Sequence, residues 1–372
     1  MRNLCTIQKI KELEPIEGKD KIMFASFEDT GWRVIVDITE VKKGDLVVYC
    51  EYDTLLPPNP NFDFLRKRCW VEKYQGYRIR AMKMADRVSE GIVFPTKILP
   101  AFVKIEQGMD VTEIIGAKKY DPELEEEMKG QPVTKKQNKF VALLCHVPFI
   151  KNILYPKHLK GSWPTFFPPK TDETRIAAIP WMMDELKGKE VYITEKMDGQ
   201  SFSVSYYKNK LHVCSRNVWY KNKVNNNYWN VVKDYDILSR LKKAKKKWGE
   251  IVIQGEICGP GIQGNKYGFK ELMLFIFNIY SIDRKEYLSF DAMAQFYSDT
   301  GLKMVPLIAL DKFQWTSIDD LTEYSKGNSV YNMDTNREGI VIRPIENLKG
   351  KNKTGPVFGC KVINPDFLVD KK

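Results

Sequence analysis

The stretch Thr194-Glu195-Lys196-Met197-Asp198-Gly199 follows an apolar run, Val191-Tyr192-Ile193, that is typical of a buried β-strand. The pattern places Lys196 at the end of the predicted strand, followed by a carboxylate and a glycine at a turn. A lysine ammonium has a pKa of about 10.4, so Lys196 needs neighbours that favour its neutral form before it can act as a nucleophile. The four-residue pattern from Lys196 to Gly199 carries little information alone, and an exposed lysine beside a turn is the simpler interpretation.

The length and composition indicate an intracellular globular protein with two domains of unequal size. A chain of 372 residues is longer than one ordinary core requires, and 43% hydrophobic with 29% charged residues is typical of such proteins. The sequence contains no run of about eighteen apolar residues that could span a bilayer. The N-terminus, Met1-Arg2-Asn3-Leu4-Cys5, lacks the pattern of a signal peptide. We therefore expect a cytoplasmic protein with no membrane partner.

The balance of charges favours a partner with a phosphate backbone. The formal net charge is +11 and 12% of the residues are aromatic, although basic charge alone also serves solubility. The seven cysteines are scattered without a C-x-x-C pair, and the chain has only three histidines. Neither a disulfide framework nor a zinc site is indicated.

Residues 1–104 carry short runs rich in β-branched and aromatic residues, separated by polar or glycine-containing turns. The runs are residues 5–7, 22–25, 32–36, 46–50, 77–80 and 91–94. Five or six strands at this spacing predict a small closed barrel, for which an OB fold is the natural candidate. Four cations on or beside one predicted hairpin could contact RNA or form a solvated face; they are Arg78, Arg80, Lys83 and Arg87.

Residues 105–160 are acidic in one part and broken by proline in another, which predicts a linker with one short helix. The second domain, residues 161–372, alternates helical patterns with apolar strand patterns. The helical patterns are 229–248 and 289–300, and the strand patterns are 191–193, 251–253, 272–280 and 340–342. The chain is therefore predicted to be α+β, with a β-barrel module before a larger domain.

Polar side chains follow Lys196 in the second domain, each at a predicted strand end or turn. Arg216 follows a hairpin at 202–213 and could bind a phosphate or a ribose. Glu256 ends the strand that begins at Ile251, where its carboxylate could accept hydrogen bonds from ribose hydroxyls.

Two phenylalanines, a further carboxylate and a further lysine complete the series. Phe275 and Phe277 are two residues apart on one strand, so both point to the same face. Either ring could stack on a base, and packing in the core is the ordinary alternative. Glu338 and Lys361 lie on the last two predicted strands.

This ordered series resembles the covalent nucleotidyltransferase superfamily, which comprises the DNA ligases, RNA ligases and mRNA capping enzymes. The corresponding residues are Lys196, Asp198 and Gly199 for motif I, Arg216 for motif Ia, Glu256 for motif III, Phe277 for motif IIIa, Glu338 for motif IV and Lys361 for motif V. The resemblance covers residues from about 160 to the C-terminus. It implies an ATP-grasp-like ligase domain of antiparallel sheets with flanking helices.

The position of the barrel module indicates a branch of this superfamily. Only eleven residues follow Lys361, so we expect no OB domain after motif V, where DNA ligases and capping enzymes carry one. An OB-like module before the catalytic domain instead resembles the RNA ligases of the Naegleria and Deinococcus type. By that similarity, Arg175 should contact the adenylate or its phosphate.

One departure from the related RNA ligases concerns motif V. Some of them carry two lysines there as K-x-K, whereas Gly359 and Ile363 flank Lys361 at those spacings. Lys353 or Arg343 could supply the second cation.

The resemblance implies an ATP-dependent RNA ligase that joins RNA 3′-hydroxyl and 5′-phosphate ends, with RNA repair as the expected setting. In that chemistry Lys196 takes AMP from ATP, passes it to the 5′-phosphate, and the 3′-hydroxyl then displaces it. We expect a monomer that acts on nicked duplex RNA. A GTP-dependent guanylyltransferase of the capping type and a non-catalytic RNA-binding protein are the alternatives.

The resemblance also implies a role for each site residue. Lys361 and Arg216 would hold phosphate oxygens, Glu256 the ribose, and Phe277 the adenine ring. The residues implied to bind ATP or AMP are Arg175, Glu195, Lys196, Arg216, Glu256, Phe277 and Lys361. The residues implied to hold Mg²⁺ or Mn²⁺ through waters are Asp198, Glu256 and Glu338.

Overall fold

The computed structural model describes residues 3–84, 87–120, 160–168, 173–221, 226–346 and 359–370. The acidic stretch in which we predicted the linker helix and the candidate cation Lys353 lie outside these residues.

Eleven strands and two short helices form the N-terminal part of the described chain. The strands are β1 (Cys5–Ile16), β2 (Lys19–Phe27), β3 (Arg33–Asp37), β4 (Leu46–Glu51), β5 (Thr54–Leu56), β6 (Trp70–Val71), β7 (Gly76–Arg78), β8 (Met82–Met84), β9 (Arg87–Ser89), β10 (Gly91–Pro95) and β11 (Lys118–Lys119). The helices are α1 (Arg66–Cys69) and α2 (Thr112–Ile115).

The main sheet of this domain is a nearly closed barrel. Its strand order is β10-β4-β1-β2-β3. The two edges approach each other where the backbone N–H of Glu90, just before β10, donates to the carbonyl oxygen of Arg33 at 3.1 Å. A barrel of this kind leaves little unpaired strand edge. The prediction of an OB-like barrel is confirmed.

Strand β4 is buried on both faces, which explains its uninterrupted apolar sequence. Val47 and Tyr49 pack into one core with the barrel residues, whereas Val48 and Cys50 pack into a second core. The second core lies between the barrel and a smaller sheet of order β11-β5-β7-β6. Alternate residues of a strand point to opposite faces, so one strand serves both cores.

The packed N-terminal domain continues through residues 105–120, which we had expected to belong to the linker. Val111 is fully buried, and Thr112 Oγ1 accepts hydrogen bonds from the backbone N–H groups of Leu4 and Cys5, both at 3.0 Å. Strand β11 pairs with β5. These residues therefore cover the start of β1 and the second core, which a solvated linker would leave open.

The C-terminal domain contains twelve strands and six helices in its described residues. The strands are β12 (Lys160–Gly161), β13 (Thr174–Arg175), β14 (Glu190–Glu195), β15 (Gln200–Tyr207), β16 (Lys210–Cys214), β17 (Trp219–Tyr220), β18 (Ile251–Cys258), β19 (Met273–Ser281), β20 (Glu286–Tyr287), β21 (Leu307–Lys312), β22 (Gly339–Pro344) and β23 (Cys360–Ile363). The helices are α3 (Met182–Leu186), α4 (Asn227–Asp234), α5 (Ile237–Trp248), α6 (Phe290–Thr300), α7 (Ile318–Ser325) and α8 (Pro365–Asp370).

These strands form two sheets with separate cores. The seven-stranded sheet has the order β12-β17-β16-β15-β18-β19-β20, and helices α4, α5 and α6 pack on it. The five-stranded sheet has the order β13-β23-β22-β14-β21, and helices α3 and α7 pack on it. Pairing is antiparallel between the motif-bearing strands, and β13 runs parallel to β23. The predicted α+β domain of antiparallel sheets with flanking helices is confirmed.

One predicted helical stretch is two helices in the structure. The pattern at 229–248 divides into α4 and α5 because Asp236 adopts a left-handed conformation with φ of 44°, which an α-helix cannot continue. The side chain of Asn226 caps α4 by accepting a hydrogen bond from Trp229 N–H at 3.0 Å. Among the described residues, no helix combines the length and the apolar character needed to cross a membrane.

The stretch 194–199 is the point where the chain passes from one sheet to the other. Strand β14 belongs to the five-stranded sheet and β15 to the seven-stranded sheet, and four residues join them. Those four residues are Lys196, Met197, Asp198 and Gly199. The fold thus places Lys196 between the two sheets.

Candidate active site

Lys196 is surrounded by carboxylates. Its Nζ lies 2.7 Å from Oε2 of Glu338, and its backbone N–H donates to the carbonyl oxygen of Gly339 at 2.9 Å. Burial alone would lower the pKa of Lys196, but the negative charges of Glu338, Glu256 and Asp198 outweigh burial and raise the pKa well above its ordinary value. The side chain is therefore held as a cation, and it could act as a nucleophile only if this negative charge were offset.

Two glycines allow the strands around Lys196 to approach each other. A Cβ atom at Gly199 would overlap the carbonyl oxygen of Ile257 and lie 2.8 Å from Cγ of Glu256. Gly339 has φ of +151°, and a Cβ atom there would overlap the carbonyl oxygen of Val362. Glycine is thus required by close packing at motif I and motif IV.

The peptide groups of Asp198 are held by two side chains that sequence analysis did not identify. The backbone N–H of Asp198 donates to the Tyr267 hydroxyl at 2.6 Å, and the thiol of Cys258 lies 3.8 Å from the Asp198 carbonyl oxygen. Tyr267 is 7% exposed, and its ring lies 5.4 Å from that of Phe269. The loop between β18 and β19 has no periodic pattern, and its closely spaced aromatic residues were the one available signal.

Glu195, which we expected to contact the nucleotide, is turned toward the loop before Glu338. It is 1% exposed, and its Oε2 accepts a hydrogen bond from Val330 N–H at 2.9 Å. Burial raises the pKa of the Glu195 carboxyl, although contacts with Ser329 and Val330 work against the rise. In this structure Glu195 supports the loop, and a contact with the nucleotide stays a prediction.

Strands β18 and β19 place Glu256 and Phe277 on the site. Glu256 is half-buried, and its charge acts on Lys196. Phe275 is fully buried, with its ring 5.8 Å from Phe269 and 5.0 Å from Tyr331, so it is a core residue. Phe277 packs at the margin of the same cluster and is half-buried, which leaves part of its side chain accessible.

The two predicted phosphate-binding cations lie on different sheets. Arg216 is half-buried in the turn after β16, where the Ser215 hydroxyl accepts a hydrogen bond from Val218 N–H at 3.1 Å. On β23, Cys360 and Val362 point into the core of the five-stranded sheet. Lys361 therefore points to the opposite face, the face through which Tyr192 of β14 packs on the seven-stranded sheet.

Arg343, a candidate for the second motif V cation, forms a structural ion pair. It is 4% exposed, its guanidinium bonds to the Glu173 carboxylate, and its Nη1 donates to the Phe277 carbonyl oxygen at 2.7 Å. Burial alone would raise the pKa of Glu173, but Arg343 outweighs burial and lowers it. Arg343 thus links β22 to β19 across the two sheets.

The guanidinium of Arg175 is turned toward the N-terminal domain. Its Nη1 lies 2.5 Å from Glu90 Oε1, its Nη2 bonds to the Tyr52 hydroxyl, and its Cζ lies 5.3 Å from the centre of the Trp32 ring. Arg175 is buried, and it pairs with Lys361 between β13 and β23. Its contacts in the structure dock the two domains, and the contact with an adenylate stays a prediction.

Three of the four cations that we predicted for RNA binding are engaged in ion pairs. These pairs are Arg78 with Asp53, Arg87 with Glu14, and Lys83 with Asp366. Arg80, the fourth, is exposed. The hairpin is therefore less available to a phosphate backbone than its sequence indicates.

The carboxylates around Lys196 suit a divalent ion that is held mainly by water and phosphate. Asp198, Glu256 and Glu338 are close enough to act together on Lys196. In the part of the chain that the structure describes, no group of three or more His, Cys, Asp or Glu side chains forms a direct metal cage. Mg²⁺ keeps several waters and usually takes one or two carboxylates together with phosphates. The donor set fits that mode of binding.

Comparisons with known proteins agree with the two-domain fold. A family model for RNA ligase matches residues 189–363, and a model for an OB-fold domain matches residues 4–96. No curated protein sequence gives a significant match.

Solved structures of Naegleria gruberi RNA ligase match over the whole chain. An apo mutant is 25% identical with a TM-score of 0.80, covering 100% of this chain and 99% of the other. A mutant with AMP and Mn is 26% identical with a TM-score of 0.81, and a mutant with ATP and Mn is 26% identical with a TM-score of 0.80; each covers 99% of both chains. Other mutants of that ligase in the matching set replace a lysine and an aspartate two positions after it, the spacing of Lys196 and Asp198.

Proposed function

We propose that the chain, with an N-terminal OB-fold domain before a domain matching the RNA ligase family, is an ATP-dependent RNA ligase, and that Lys196 is the residue that receives AMP. The observation that carries this proposal is the position of Lys196 between the two sheets, with three carboxylates acting on its ammonium. Such a site suits a lysine that stays charged until a divalent ion, Mg²⁺ or Mn²⁺, binds with the nucleotide and offsets the negative charge around its ammonium.

The reaction consists of three displacements at phosphorus. Nζ of Lys196 attacks the α-phosphorus of ATP, forming an N–P bond as the bond to pyrophosphate breaks. An oxygen of the RNA 5′-phosphate then attacks the same phosphorus and releases the lysine. Finally the RNA 3′-hydroxyl attacks the 5′-phosphorus, forming the phosphodiester and releasing AMP. Each step depends mainly on positioning and on neutralising phosphate charge.

The protein contributes a proton acceptor and charged groups to these steps. Glu338 Oε2, 2.7 Å from Nζ, is in position to take the proton that Lys196 must lose. A divalent ion held by Asp198, Glu256 and Glu338 through waters would offset negative charge at the site and stabilise charge on the phosphate oxygens.

The remaining site residues surround the nucleotide in this proposal. Lys361 and Arg216 hold phosphate oxygens from the two sheets, because one lies on β23 and the other follows β16. Glu256 accepts hydrogen bonds from the ribose hydroxyls. Phe277 stacks on the adenine ring, which its half-buried position supports.

We also propose the finer features of the substrate and its setting. The enzyme acts as a monomer on a nick in duplex RNA, joining a 3′-hydroxyl to a 5′-phosphate during RNA repair in the cytoplasm. The N-terminal domain is docked beside Lys361 through Arg175, which supports a substrate that contacts both domains.

The test is covalent labelling with α-labelled nucleotide. ATP with Mn²⁺ should label the wild type through an acid-labile bond, and the label should pass to 5′-phosphorylated RNA. Lys196→Ala should abolish labelling, whereas Lys189→Ala, which alters an exposed lysine on the approach to β14, should label normally. Labelling from GTP instead would favour a capping-type enzyme. Absence of any label, or persistent labelling of Lys196→Ala, would overturn the assignment.

A further inference from the structure

A cluster of exposed cations lies on the N-terminal domain, beside the ion-paired hairpin. Helix α1 carries Arg66, Lys67 and Arg68, all exposed, and Arg80 is exposed nearby. The charges of Arg80 and Arg68 both act on the thiol of Cys69, so both guanidinium groups lie near it. We call Arg66, Lys67, Arg68 and Arg80 the basic patch.

The sequence around the basic patch is strongly positive. Residues 60–80 hold six Lys or Arg against two Asp or Glu, a net charge of +4 within a protein of net charge +11. The two acids are partly committed to other contacts. Asp63 accepts a hydrogen bond from the Tyr77 hydroxyl, and Glu72 accepts one from Trp70 Nε1 at 2.7 Å. Arg66 also forms an exposed ion pair with Asp63 at 3.8 Å. The six cations still outnumber the two acids, so the patch keeps a positive surface.

Aromatic side chains lie among these cations. Phe64 is 69% exposed, on the turn of helix that precedes α1. Trp70 is half-buried, and the guanidinium carbon of Arg66 lies 4.4 Å from the centre of its ring. Exposed rings beside cations are typical of surfaces that bind nucleic acid, because the rings stack on bases while the cations contact phosphates.

The basic patch is connected to the part of the ligase domain that carries Lys361. Nη1 of Arg68 lies 3.9 Å from Sδ of Met82 on β8. The next residue, Lys83, forms an ion pair with Asp366 of α8 at 3.1 Å. Helix α8 begins two residues after β23, the strand of Lys361. These contacts link the patch to the helix that follows the strand of Lys361.

We propose that the basic patch binds the phosphate backbone of the RNA next to the break, with Phe64 and Trp70 against its bases or sugars. This inference rests on the proposed RNA ligase function and names the surface through which the N-terminal domain takes part in it. Arg66, Lys67 and Arg68 neutralise phosphates, and the binding is accordingly sensitive to salt.

The test compares two charge-matched variants of the full chain. The first is Arg66→Gln/Lys67→Gln/Arg68→Gln in the patch. The second removes three exposed lysines from α5, which packs on the seven-stranded sheet, as Lys242→Gln/Lys243→Gln/Lys246→Gln. Affinity for a fluorescent nicked RNA duplex is measured from about 50 to 200 mM salt.

The patch variant should bind at least about tenfold more weakly near 0.1 M salt, and its plot of log affinity against log salt should be shallower by about two to three units. The α5 variant should bind like the wild type. Lysyl-AMP formation, which needs no RNA, should be unchanged in both. Wild-type affinity of the patch variant, or an equal loss in the α5 variant, would overturn the proposal.

Two further measurements separate this proposal from misfolding and from the proposed function. Phe64→Ser keeps the charge of the patch and alters an exposed side chain, and it should also weaken RNA binding. Unchanged binding of this variant would remove the aromatic contact from the proposal. If the wild type forms no lysyl-AMP, the proposed function fails, whereas the RNA affinities still decide the role of the patch.

Discussion

Removing the hydroxyl of Tyr267 tests whether lysyl-AMP formation depends on the position of the backbone that follows Lys196. This hydroxyl accepts the hydrogen bond of the Asp198 N–H at 2.6 Å, two residues from the nucleophile. Tyr267→Phe deletes this acceptor and keeps the ring that packs on Phe269. Since Asp198 is 7% exposed, few waters can replace the lost oxygen.

The size of the effect follows from the cost of an unsatisfied buried donor. Leaving a buried N–H without its acceptor costs about 1–3 kcal/mol. We take this cost to raise the activation free energy of the attack on ATP. Since about 1.36 kcal/mol corresponds to a tenfold change in rate, lysyl-AMP should form about 5- to 150-fold more slowly. ATP binding should change little, because the lost hydrogen bond holds the backbone of Asp198, and the substitution keeps the Tyr267 ring and every residue proposed to hold the nucleotide.

The assay is single-turnover formation of lysyl-AMP over a range of ATP concentrations. Tyr267→Phe should lower the maximal rate and leave the half-saturating ATP concentration within about twofold, as expected for an interaction needed in the transition state. Tyr331→Phe is a matched control, because its ring lies in the same aromatic cluster, 5.2 Å from Phe269. That control should react at the wild-type rate.

A lower melting temperature of Tyr267→Phe together with a wild-type rate would refute the reasoning. That result would mean that the hydrogen bond stabilises the fold and does not position Lys196. An equal loss of rate in Tyr331→Phe would also refute it, because packing of the cluster would then explain both effects.

The remaining predictions concern stability around the site. Arg343→Met leaves the Glu173 carboxylate buried without its cation and should lower the free energy of unfolding in urea by about 3–5 kcal/mol, whereas adding Glu173→Gln should restore most of it. Because Arg343 lowers the pKa of Glu173 in the folded state, the stability due to this pair is fully present above about pH 4.3 and is lost as the pH falls through the lowered pKa. Between pH 6 and pH 3, the melting temperature of Glu173→Gln should thus fall less steeply than that of the wild type. Gly339→Ala should cost about 1–3 kcal/mol and slow labelling, because its Cβ overlaps the Val362 carbonyl at a φ of +151°; wild-type melting and labelling would contradict this.

The parts of the site that sequence could predict are those at the ends of strongly apolar strands. Lys196 follows β14, and Glu338 precedes β22, so the pattern of apolar runs located both. The structure brings them within 2.7 Å because the two strands pair in register. The apolar strand patterns, the order of the motifs and the family resemblance were together sufficient to predict that Lys196 and Glu338 lie in one site.

The contacts that sequence could not predict join residues that are far apart along the chain. Arg175 and Glu90 are 85 positions apart, and Arg343 and Glu173 are 170 positions apart. Nothing in the local sequence of an arginine tells whether it will meet a phosphate or a carboxylate of another element. The same holds for Tyr267, which lies in a loop without periodicity.

The docking contacts also determine which part of the ligase domain carries the OB barrel. Three contacts between the N-terminal domain and the rest end on the part that contains the five-stranded sheet. Glu90 contacts Arg175 beside β23, Arg33 pairs with Asp319 of α7 at 2.7 Å, and Lys83 pairs with Asp366 of α8. The OB barrel is therefore docked on the part of the ligase domain that contains the five-stranded sheet. The seven-stranded sheet is joined to that part by residues 196–199 and by the hydrogen bond from Arg343 to the Phe277 carbonyl oxygen, among other contacts. Lys196 lies in the short connection between the two sheets and directly follows β14, so the amine proposed to receive AMP is attached to the sheet on which the OB barrel is docked.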